Sequence, residues 1–102
     1  MKISILNLAP LRQGQNFKDA IDAMVKLAKK ADELGYERYW IAEHHNTKSV
    51  ASSATQLLIQ RTLDNTKNIR VGSGGVMLPN HSPYIVAEQY GTLETLYPGR
   101  VD

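Results

Sequence analysis

Three short runs rich in β-branched, leucine and aromatic residues alternate along this chain with three segments of helical period. That alternation limits the fold more than any other feature. The runs are residues 2–8, 38–43 and 69–76. From Phe17 the apolar positions Phe17, Ala20, Ile21, Met24, Ala28 and Ala31 recur at spacings of three and four, with Leu27 and Leu34 widening the stripe. This is one face of a helix capped by Asn16 and stopped by Gly35. Ser53 and Gln56 have the spacing of a capping box for a second helix over 54–64, whose stripe is Ala54, Leu57, Leu58 and Leu63. A third helix over 83–96 starts with Ser82 at the N-cap and Pro83 at the first helical position. It ends before Tyr97-Pro98-Gly99, and Arg100-Val101-Asp102 reads as the start of a fourth strand.

Strands alternating with helices imply a parallel sheet joined by right-handed crossovers. Parallel sheets are covered on both faces, yet three helices following one crossover hand cover only one. The other face and the edges then need more chain or a partner. A doubly wound, flavodoxin-like sheet with helices on both faces is the competing architecture.

The chain has 102 residues, 42% of them hydrophobic, which suits a single domain. The net charge of +2 is spread without a basic run, so nothing points to nucleic acid. The lack of cysteine excludes disulfides and thiolate metal sites. The N-terminal apolar run is short and interrupted by Asn7, unlike a signal peptide, and no stretch reaches the length of a membrane span. The chain reads as soluble and cytoplasmic.

Sites in parallel α/β proteins gather beyond the carboxyl ends of the strands. The polar residues there are Asn7, then Glu43, His44, His45 and Asn46, then Asn80 and His81, which include all three histidines. No metal site is expected: neighbours on a strand point to opposite faces, so His44 and His45 do not share an ion, and His81 can join only one of them. The run Gly72-Ser73-Gly74-Gly75-Val76-Met77 lacks the third glycine of a dinucleotide fingerprint, and no phosphate-gripping G-K-[ST] occurs. Glycines at a strand end serve either a tight bend that lets elements pack or the close approach of a flat ligand. A lone histidine here serves either loop structure or general acid–base chemistry.

Tyr39-Trp40-Ile41-Ala42-Glu43-His44-His45-Asn46, then Ala51-Ser52-Ser53-Ala54, then Val71 through Pro83, and finally Leu96 through Asp102 occur in an order that resembles the N-terminal part of the bacterial luciferase-like, flavin-dependent monooxygenases. The resemblance covers nearly the whole chain. It implies that residues 1–102 are a single, incomplete piece of a (β/α)8 TIM-type barrel: three βα units and the start of strand four. It further implies reduced FMN, supplied by a reductase or NAD(P)H, with the deazaflavin F420 less favoured, and a small organic substrate oxidised with O2. His44 matches the catalytic base that manages protons during oxygen activation, with Glu43, His45 and Asn46 in support. Ser73, Gly74, Gly75 and Met77 match the floor under the flavin ring, where a non-proline cis peptide is expected at Gly74–Gly75 or one bond away. Asn7, Asn80 and His81 are candidates for substrate or loop contacts. A complete barrel runs to about 250 residues, and the phosphate grip resembles sites on later strands, so these residues alone are expected to be inactive. The alternative is an assembly module that self-associates, or pairs with a C-terminal piece, through its open sheet edges.

Overall fold

A computed structural model describes residues 1–102. Three parallel strands, β1 (Ser4–Asn7), β2 (Arg38–Ile41) and β3 (Arg70–Ser73), lie side by side in the order β1-β2-β3. They alternate with α1 (Phe17–Glu33), α2 (Thr55–Asp64) and α3 (Pro83–Leu96). Val101 bridges Val71 in parallel, so the chain end begins a fourth strand beside β3. The strands are shorter than the apolar runs because ladder pairing stops where the backbone turns into the carboxyl-end loops.

Register explains which residues form the core. Ile5, Tyr39 and Val71 stand in one row facing the helices, where they meet Met24, Ala28 and Ala31 of α1, Ile59 and Leu63 of α2, and Leu93 of α3. The buried Tyr39 hydroxyl donates to the Met24 carbonyl at 2.9 Å, and burial pushes its pKa upward. The next row, Leu6, Trp40 and Gly72, faces the other side of the sheet, where Leu6 is 56% exposed. All three helices therefore cover one face, and consecutive strands are neighbours. This overturns the doubly wound alternative.

Several local expectations change in detail. The capping box forms at α1, where the Asn16 side chain accepts from the Asp19 N–H and Asp19 accepts from the Asn16 N–H. It does not form at α2, which starts from Ala54 without a side-chain cap. There Thr55 turns inward instead, its hydroxyl donating to the Ala42 and Ser52 carbonyls. Ser82 occupies the N-cap position of α3 without a side-chain bond, and Pro83 follows as expected. Leu27, Leu34 and Leu57 are exposed, while Val25, Thr55 and Thr62 are buried in their place. Gly35 closes α1 with φ +79°, a left-handed value that glycine adopts without steric cost.

The turn before β3 is built on charge. Asp32 accepts from the backbone N–H groups of Lys67, Asn68 and Ile69 at 2.6, 3.0 and 2.8 Å. Arg100 reaches the Ile69 carbonyl and the Thr66 hydroxyl from the other side. No helix is long and apolar enough to cross a membrane.

Candidate functional site

The carboxyl ends of β2 and β3 meet in one polar cluster. Beyond Ile41 the alternation carries Glu43 to the helix-facing side, where its carboxylate is fully buried. Beyond β3 the chain crosses Gly74 and Gly75, forms a short 3-10 turn at Leu78–Asn80, and returns through His81 to α3. The loop closes onto Glu43: His81 Nε2 donates to both carboxylate oxygens at 3.0 Å, and the Met77 N–H donates at 3.3 Å. His45 Nε2 completes the set at 3.0 Å. Burial pushes the Glu43 pKa up, but the His45 and His81 bonds, the His81 charge and the Met77 N–H outweigh it and hold the carboxyl below its usual range.

The glycine segment lies across the helix-free side of the sheet. A Cβ at Gly74 would stand 3.0 Å from Leu6 Cδ1 and 3.2 Å from Trp40 Cβ. A Cβ at Gly72 would come within 2.9 Å of the Asp102 carbonyl carbon. These two glycines are therefore explained by packing. Gly75 is different, since a Cβ there would meet nothing closer than the Ser73 carbonyl at 3.9 Å. The Gly74–Gly75 peptide is cis, one of the positions the resemblance implies.

The site residues named from sequence divide into groups. Glu43, His45, His81 and Met77 converge as described. Ser73 shares the helix-facing parity of Val71, so its hydroxyl is buried against the Tyr90 hydroxyl of α3, neither making an aligned hydrogen bond. Tyr90 is not singled out from sequence because it lies inside the third helical segment, away from the strand ends. Its pKa is raised by burial, with Glu43 adding to the shift and Ser73 opposing it. His44 is exposed and sits apart from the Glu43 cluster, bordering a groove with Phe17, Ile21, Val50 and Leu57. Its own N–H is held by the Ser52 carbonyl. Asn46 is exposed with φ +54°. The Asn7 side chain accepts from the Ala9 N–H at 2.6 Å and so shapes the first loop. Asn80 is exposed in the 3-10 turn.

Comparison with known proteins gives this geometry a context. The family model described as luciferase-like monooxygenase matches residues 1–102. The uncharacterized protein YddN of Bacillus subtilis is 65% identical over 98% of this chain, and a luciferase-like monooxygenase of Escherichia coli K12 is 54% identical over 97%. In both cases the chain spans 30% of the relative's length. Among solved structures, apo-MsnO8 superposes with a TM-score of 0.96 at 46% identity, covering 99% of this chain and 31% of that one. The FMN complex of the oxygenating constituent of 3,6-diketocamphane monooxygenase, from the CAM plasmid of Pseudomonas putida, gives 0.86 at 26% identity, over 99% of this chain and 28% of that one. The three-stranded sheet with its helices on one face is thus the N-terminal portion of a TIM-type barrel. The chain belongs to the luciferase-like monooxygenase family.

Proposed function

We propose that these residues form the ring-facing floor and part of the acid–base apparatus of an FMN-dependent monooxygenase that oxidises a small organic substrate with O2. The observation that carries this reading is the open position over Gly75. It lies at the carboxyl end of the sheet, beside a loop pinned to β2 through Glu43. A flat ring needs a backbone surface without side chains on one side, and residues 74 and 75 offer it. Gly74 rests on Leu6 and Trp40, so that surface is backed rather than loose.

The residues present fit such a ring in a specific way. Gly74 and Gly75 contribute backbone, and the Met77 side chain, 42% exposed, is free to lie against the ligand because only its N–H is engaged by Glu43. Ser73 contributes its main chain, since its hydroxyl is turned toward Tyr90. Bound reduced FMN would supply the electrons for oxygen activation. In this reading the exposed His44 side chain, just beyond β2, takes and returns a proton during turnover. His45 and His81 engage Glu43 and keep the loop in place. The bare inner face at Leu6 and Trp40 calls for further barrel strands or a partner chain, consistent with the 30% span. The same proposal includes a reductase or NAD(P)H as the source of electrons, a cytoplasmic location, and self-association or pairing with a C-terminal piece.

The test uses the chain carried to the full length of its relatives. His44→Ala is expected to slow substrate-dependent O2 uptake by about 100-fold or more, the usual weight of general acid–base catalysis, and to leave FMN affinity within about threefold. Equal turnover in the variant removes His44 as the base.

A further inference from the structure

The cluster that pins the loop has a second chemical capacity. His45 Nε2, His81 Nε2 and the Glu43 carboxylate point at one another, with ligand atoms all within 4.8 Å. We propose that Glu43, His45 and His81 bind a divalent transition-metal ion of the Zn2+ class, with water completing the coordination.

Four features support the site. The donor set of two imidazoles and one carboxylate suits zinc and its borderline neighbours rather than Mg2+ or Ca2+, which prefer all-oxygen shells. The spacing is close to what coordination needs: both Nε2 atoms stand 3.0 Å from a Glu43 oxygen. Zinc with bonds of about 2.0–2.1 Å places tetrahedral ligand atoms roughly 3.3 Å apart, so a small outward shift of each ring admits the ion. The carboxylate is preorganised, being fully buried and held by the Met77 N–H. The His45 and His81 side chains are 38% and 22% exposed, which leaves an entry path and room for a water ligand.

Three ligands from two loops explain how a site arises although adjacent histidines do not share an ion. His44 stays out, and His81 joins His45 across 36 positions of sequence. On binding, each imidazole coordinates through the Nε2 lone pair and keeps its one proton on Nδ1, so a neutral ring only changes tautomer and an imidazolium releases one proton to solvent. No redox change is involved. Occupation would cross-link the end of β2 to the loop after Gly75, so the metal would rigidify the floor assigned above to the flavin. The metal site itself does not depend on that assignment.

The experiment is calorimetric titration of the untagged, chelator-treated chain, carried to the full length of its relatives, with Zn2+, and in parallel with Co2+ and Mg2+. One Zn2+ per chain with a Kd in the micromolar range or tighter is expected, together with a visible Co2+ spectrum of tetrahedral type and no response to Mg2+. Glu43→Gln and His81→Gln should each weaken Zn2+ binding by at least tenfold, while His44→Gln leaves it unchanged. Circular dichroism confirms that each variant is folded. If Glu43→Gln unfolds, His45→Gln, on an exposed loop, supplies the same comparison. Absence of saturable binding, or binding lost on His44→Gln and retained in the other variants, overturns the proposal.

Discussion

Gly72 gives the most direct test of why this strand ends in glycines. A methyl group at position 72 would come within 2.9 Å of both the carbonyl carbon and the Cβ of Asp102, and closer still to the carbonyl oxygen. The obstacle is largely backbone, so it cannot swing aside like the tip of a side chain. The cheapest response is for residues 100–102 to detach from β3. That releases the bonds from Val71 N–H to the Arg100 carbonyl at 2.8 Å and from Asp102 N–H to the Val71 carbonyl at 3.0 Å. It also loosens the ion pairs of Asp102 with Arg70 and Arg38 at 2.6 and 2.9 Å. Two backbone bonds contribute about 1 kcal/mol each, and the exposed pairs at most about 1 kcal/mol together. Replacing glycine returns about 0.5 kcal/mol through the unfolded chain. Gly72→Ala is therefore expected to cost about 2 kcal/mol, or about 8–16 °C in Tm for a domain of this size. Thermal unfolding by circular dichroism measures the loss, and hydrogen exchange should show the Val71 and Asp102 amides losing protection selectively. Gly91→Ala is the internal control: it lies in α3 with nothing within 4 Å of the new Cβ, and should stabilise by about 0.5–1 kcal/mol. Unchanged Tm and intact amide protection in Gly72→Ala would refute the packing explanation.

Two further perturbations probe the site and the turn that supports it. In the full-length chain, Gly75→Val is expected to lower FMN affinity at least tenfold while shifting stability by less than about 1 kcal/mol, because the new side chain enters open space; fluorescence titration giving equal affinity would remove the close-approach reading. For Asp32, burial raises the pKa, but the bonds from Lys67, Ile69 and Asn68 and the Arg100 charge pull it below the ordinary 3.8. A depressed folded-state pKa stabilises the fold above 3.8 and loses that contribution as pH falls through the folded value, so Asp32→Asn should cost stability at pH 7 and flatten the acid limb of an unfolding curve. An acid limb identical to wild type would show that those bonds do not depend on the charge.

Most of the architecture was legible in the chain itself. The spacing of Ala20, Met24, Ala28 and Ala31, the breaker at Gly35 and the stop at Tyr97-Pro98-Gly99 are local signals, and local signals are sufficient to order helices and strands. The same holds for the idea that function gathers at 43–46 and 72–81, because strand ends in a parallel sheet are where loops converge. The motif order from Tyr39 to Pro83 went further and identified the family.

Tertiary structure decided what each of those residues does. Only strand register shows that Leu6, Trp40 and Gly74 stack on one face, so that within the run from Gly72 to Gly75 two glycines are small for packing and Gly75 faces open space. Parity sends the Ser73 hydroxyl to Tyr90 and the Glu43 carboxylate into the interior, where it draws in His45 and His81 and leaves His44 outside. These outcomes depend on contacts between residues tens of positions apart. A linear reading counts three histidines near two strand ends; the fold selects which two share a carboxylate, since hydrogen bonding requires atoms about 3 Å apart and sequence distance says nothing of that.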